Sequence, residues 1–178
     1  MGIKNIDQKF RERIDNIINS EFAIIIGDAD GADSAVQSYL STINAANVTV
    51  YCSGPAARNN IGCWPTKPVE TRHQEGTRAF FTAKDLAMAD TADYGLMIWD
   101  SKSTGTLSNV IELLTRDKKS LVYVNKSKTF FPVSAIDQLE SLTHIMSEFS
   151  RKKAEQKIGF SKRISALKNQ GNQTKMFA

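Results

Sequence analysis

The sequence predicts an α/β fold: a doubly wound, mainly parallel sheet with helices on both faces. Two observations lead there. Short, mostly apolar runs alternate with segments of helical period, and those runs lack the in-out alternation of a strand with one wet face. Size is the third constraint, since 178 residues of which 41% are hydrophobic suit one well-buried core.

Ile6, Phe10, Ile14, Ile17 and Ile18 recur at helical spacing and predict an amphipathic helix over residues 6–19. Phe22 to Ile26, closed by Gly27, reads as a strand buried on both faces. A helix over 33–43 and a strand over 48–52 follow. Residues 53–74 carry Pro55, Pro65, Pro68 and two glycines and read as one long irregular loop, the length at which lids and binding loops occur. Glu75 to Thr91 is expected to be helical, with Phe80, Phe81, Leu86 and Met88 as its apolar surface. A strand over 94–99, a helix over 107–116, a strand over 121–125 and a closing helix over 135–149 complete the pattern.

Residues 1–150 are expected to form one domain. The formal charge of +4 is concentrated after it: from Arg151 onward eight Lys or Arg oppose the single acid Glu155, about +7, which leaves residues 1–150 near −3. Residues 151–178 therefore read as a basic extension, partly helical or disordered, with nucleic acid as a partner of matching charge. The closing Gln173-Thr174-Lys175-Met176-Phe177 resembles the Gln-x-x-Leu/Met-Phe peptide by which bacterial replication proteins dock on the sliding clamp. No apolar run reaches the roughly 18 residues of a membrane span, and a soluble cytoplasmic protein with no membrane partner is expected. Cys52 and Cys63, with His73 and His144, make a zinc site improbable, so no metal is expected.

Ligands of doubly wound sheets bind beyond the carboxyl ends of the strands. Three segments there can carry chemistry, and the loops after the first, second and third predicted strands are expected to face one crevice. Gly27-Asp28-Ala29-Asp30-Gly31-Ala32-Asp33 is neither a Walker sequence nor G-x-G-x-x-G, so no cofactor follows from it. The twelfth position from Asp28 is Tyr39, where a calcium loop needs Glu. Asp33 reads either as a helix cap or as an acid accepting ligand hydroxyls, and Gly31 as a positive-φ position. Arg72, Arg78 and Lys84 are candidates for a phosphate, and Arg78 equally for a surface ion pair. Asp100-Ser101-Lys102-Ser103-Thr104-Gly105-Thr106 reads as a phosphate cradle at a helix N-terminus, with Lys102 adding charge, or more plainly as a turn in which Thr106 caps the helix. Trp64 and Trp99 are candidates for stacking on a base or for core packing.

Taken in order, the Gly27 to Asp33 loop, the Arg-bearing helix ending Met88-Ala89-Asp90-Thr91-Ala92-Asp93, and Ile98 to Thr106 resemble the SLOG superfamily. This Rossmann-like group includes the Lonely Guy phosphoribohydrolases and the DNA-processing A proteins. The resemblance covers roughly residues 20 to 126. It implies a nucleotide or nucleotide-derived ligand near Gly27, Asp28, Gly31, Asp33, Arg78, Gly105 and Thr106, and pairing of subunits into a homodimer. Catalytic members cleave an N-glycosidic bond with a Glu three residues after the Gly-Thr pair, where this chain has Asn109. An amide does not ionise, so the expectation is a binding protein used as sensor, carrier or sequestering agent. The alternatives are a nucleotide N-glycosidase using Glu112, one helical turn on, and a DNA-associated accessory protein using the tail.

Overall fold

The computed structural model describes residue 3 and residues 5–176, without the side chains of 171–176. It is an α/β structure of seven helices and two three-stranded sheets. The chain divides into two compact units, 1–92 and 93–178.

The first unit opens with α1 (Gln8–Asn19). Asp7 caps it, its side chain accepting from the Lys9 N–H, and Phe10 and Ile14 are buried one turn apart. Burial of each such side chain stabilises by about 1.5–3 kcal/mol. The sheet runs β1 (Ile24–Gly27), β2 (Val48–Ser53), β3 (Thr66–Val69), all parallel, with Ile24 opposite Val48 and Val50 opposite Thr66. Strand β2 is buried nearly throughout, which suits a central strand. Strand β3 lies inside the stretch expected to be one irregular loop. Pro68 hid it, because proline cannot donate to a ladder; as an edge strand β3 tolerates it. Helix α2 (Ala32–Thr42) joins β1 to β2, and α3 (Arg78–Thr91) follows β3. Gly31, at φ 96, precedes α2 as its N-cap, so Asp33 sits in the first turn rather than at the cap. Thr77 caps α3, its hydroxyl accepting from the Phe80 N–H.

In the second unit β4 (Tyr94–Trp99) and β5 (Lys119–Val124) are parallel, and β6 (Thr129–Val133) returns antiparallel to β5. The sheet is thus mixed, and β6 was not expected; Pro132 within it again marks an edge strand. Helix α4 (Thr104–Thr115) buries Leu107, Val110, Ile111 and Leu114 at the spacing of one helical face. It starts three residues earlier than expected, because Ser103 rather than Thr106 is the cap. The expected closing helix is two: α5 (Ile136–Thr143) ends, and Ser147 caps α6 (Glu148–Ile158). Gly159, left-handed at φ 58, ends α6 and leads into α7 (Phe160–Met176).

Residues 151–170 are part of this second unit. Ala154, Ile164 and Leu167 lie in the same buried cluster as Trp99, Leu107, Val122 and Leu139, with Ile158 and Phe160 packed against it. The apolar residues scattered among the lysines are what attach α6 and α7. The docking-peptide resemblance at 173–177 lies outside the described side chains. Among the described residues no helix is long and apolar enough to cross a membrane.

Candidate functional site

At the carboxyl end of β1 the Asp28 side chain is buried, with the residue 1% exposed. A bare carboxylate there would be costly, and long-range partners meet it. The Arg58 guanidinium donates to both oxygens, Nη2 to Oδ1 at 2.7 Å and Nε to Oδ2 at 3.1 Å, and the Arg58 N–H donates to Oδ2 at 3.0 Å. Asn59 donates from Nδ2 to the Asp28 carbonyl and to Asp30 Oδ1. Fully buried Gln37 holds the same loop from α2, donating to the Gly27 and Asn59 carbonyls and accepting from the Ile61 N–H. The Arg58 guanidinium lies 4.4 Å from the centre of the Phe81 ring. The loops following β1 and β2 are thereby fastened together.

Helix α3 adds a buried cation. Lys84, 4% exposed, places Nζ 2.8 Å from Asp85 Oδ1, 3.8 Å from Asp33 Oδ2 and 3.9 Å from Asp28 Oδ1. Burial pulls the ammonium's pKa down, but the Asp85, Asp33 and Asp28 carboxylates outweigh it and hold the pKa above its ordinary value. Burial pushes Asp28 up, yet the hydrogen bonds and charge of Arg58, with Lys84 behind them, hold it below the ordinary carboxylate range. Asp33 goes the other way. Burial raises it against the pull of Lys84 and the Ala29 N–H, although 31% of its side-chain surface stays open. Gly27 is required by this packing: a Cβ there would stand 2.4 Å from Asp33 Oδ2 and 2.7 Å from Lys84 Nζ.

Lys84, expected as a phosphate ligand, is instead the counter-charge of three aspartates. Arg72 and Arg78 are exposed, and no ion pair joins either to the Asp28 cluster among the described residues. Trp64 and Trp99 are buried, their indole N–H groups donating to the Ala45 and Ser103 carbonyls, so they are core residues rather than stacking platforms. The residues that sequence reasoning missed are Arg58, Asn59 and Gln37. Arg58-Asn59-Asn60 in a proline-bearing loop is polar and unremarkable, and only its meeting with Asp28, thirty residues away, distinguishes it.

The β4–α4 turn is built differently. Asp100 Oδ1 accepts from the Lys102 and Ser103 N–H groups at 2.9 and 2.6 Å, and Ser103 Oγ takes the Thr106 N–H at 3.5 Å and its hydroxyl at 3.4 Å. Thr104 and Gly105 sit in the first helical turn, where N–H groups have no intrahelical acceptor. Lys102 and Gly105 are exposed, and a Cβ on Gly105 would meet only Ser103 Oγ, at 3.7 Å. Ser101 is held at φ 63 and is 6% exposed; its Oγ finds no hydrogen-bond partner among the described residues. Asn109 is half-buried further along the helix. Glu112 is fully engaged: Oε2 takes Arg116 at 2.6 Å and Oε1 takes Arg163 of α7 at 2.5 Å.

Among the described residues no group of three or more His, Cys, Asp or Glu is arranged to hold a metal ion. Comparison of the chain with protein-family models, with curated proteins and with solved structures finds no match.

Proposed function

We propose that this chain binds a nucleotide or nucleotide-derived small molecule, as a sensor, carrier or sequestering protein, in the doubly wound, Rossmann-like manner that its resemblance to the SLOG superfamily implies. The first turn of α4 carries the reading. Its Thr104 and Gly105 N–H groups, the positive end of the helix and exposed Lys102 together suit a phosphate.

Calorimetric titration with AMP and ADP-ribose tests this. Saturable binding of either, weakened by Gly105→Ala, is the expected result; no heat and no thermal shift with any nucleoside phosphate overturns it. Hydrolysis of the N-glycosidic bond is the second reading, with Glu112 or a loop acid such as Asp33 as its ionisable group. Both Glu112 oxygens are held by arginines, whereas Asp33 retains a proton more readily than an ordinary aspartate and is suited to protonating a departing base. Release of free base that stops in Asp33→Asn, with nucleotide binding retained, distinguishes this reading from binding alone.

A further inference from the structure

The basic helices α6 and α7 present a face that the nucleotide reading does not use. Their apolar residues Ala154, Ile164 and Leu167 point into the core of the second unit, so the segment is a fixed surface. The acids along it are engaged. Glu148 pairs with Lys152 at 2.9 Å, Glu155 accepts from the Ser161 N–H and hydroxyl, Glu140 takes Lys168 at 2.7 Å, and Glu112 takes Arg163. Arg151, Lys153, Lys157 and Lys162 remain exposed, with no carboxylate partner among the described residues. Beside them Phe149 is 77% exposed. Phe149, Lys153 and Lys157 follow one another at intervals of four on α6, so they form one stripe with steps of about 6 Å along the axis.

We propose that this stripe docks single-stranded nucleic acid, the lysines on successive phosphates and the Phe149 ring under a base. Charge complementarity gives the polyanion, and the exposed aromatic favours a single strand, where base faces are open to a ring, over a duplex, where stacked neighbours cover them and inserting a ring costs unstacking. An anionic membrane fits less well. Phe149 is the only exposed large apolar side chain on these two helices among the described residues, whereas a surface-lying helix needs a whole apolar face.

The test measures binding of a fluorescent 20-nucleotide oligothymidine to the full chain by anisotropy across a salt series. Its controls are the matching duplex, vesicles of phosphatidylserine and phosphatidylcholine, and circular dichroism of each variant. Binding should weaken with salt, and Lys153→Glu with Lys157→Glu should lower the slope of log K against log salt by about 1.4, two phosphate contacts at about 0.7 each. Phe149→Ala should weaken binding about five-fold or more at fixed salt. Lys9→Glu with Lys126→Glu, which changes net charge equally elsewhere on the exposed surface, should leave both quantities alone. The proposal is overturned by no binding at low salt, by equal loss in the Lys9 and Lys126 pair, by preference for duplex with Phe149→Ala silent, or by binding to vesicles alone.

Discussion

Two strand-to-helix turns occupy equivalent places in their units, and they are built by opposite means. The turn after β1 is made by distant partners: Arg58 from the loop beyond β2 and Lys84 from α3 converge on the buried Asp28 carboxylate, and Asn59 takes the Asp28 backbone carbonyl. The turn after β4 is made by its own neighbours, Asp100 and Ser103 bonding residues two or three positions on, and it leaves first-turn N–H groups, a lysine and a glycine exposed. The first turn has most of its polar groups already taken. The second has donors to give. Removing parts should therefore cost stability in the first turn and ligand affinity in the second.

The largest expected difference is between two lysines. Lys84→Met leaves the carboxylates of Asp28, Asp33 and Asp85 with a buried counter-charge gone, and should destabilise by about 3–5 kcal/mol in urea unfolding. Lys102→Met, on an exposed side chain, should stay within about 0.5 kcal/mol. Equal midpoints for the two variants would break the comparison. Next in size is Gly27→Ala, whose methyl has no room beside Asp33 Oδ2 and Lys84 Nζ; overpacking of this kind costs about 1–3 kcal/mol.

The same contrast explains what the sequence disclosed. Helices α1 and α4 and strands β1, β2, β4 and β5 are legible because their signals are local, a 3.6 period or an unbroken apolar run. Strands β3 and β6 are not, since Pro68 and Pro132 argue against strands until an edge position is known. In the tail, lysine density masked Ala154, Ile164 and Leu167, whose burial depends on a surface that only the folded unit provides. The Asp100 to Thr106 turn was readable as a turn, and the cap shifted by only three residues. The Asp28 cluster was half readable. Its acids stand together in sequence, but the cations that neutralise them do not, and no periodicity connects residue 28 to residue 58 or 84.

A pH series separates the two aspartates of that cluster. Asp28 keeps its proton off to lower pH in the folded chain than in the unfolded one, so its stabilisation is present above the ordinary value of 3.8 and is lost as pH falls through the lower folded value. Asp33 has the opposite sign. The folded chain binds its proton more tightly, so stability declines as pH rises from 3.8 through the raised folded value. Urea midpoints between about pH 3 and about pH 7 should show Asp28→Asn removing part of the loss on the acid limb, and Asp33→Asn removing a decline on the other side. Matching changes in both variants would mean that the two carboxyls share one environment, against the geometry of Arg58.

The smallest effect is the most discriminating, because one substitution should move stability and affinity in opposite directions. Gly105 lies in the first turn of α4, is exposed, and has space for a methyl group, so its conformational freedom is a cost to the helix and nothing in the fold requires it. Gly105→Ala should therefore raise stability by up to about 1 kcal/mol, less if the first turn frays. The same methyl stands where a phosphate would approach the backbone, and calorimetry with AMP or ADP-ribose should show weaker binding. Higher stability with unchanged nucleotide affinity would remove the phosphate from this turn. Gly27→Ala, which lowers stability through Asp33 and Lys84, cannot make that distinction, since any loss of binding there is confounded with damage to the cluster. A glycine the fold does not need is where a ligand's demand on the backbone can be read by itself.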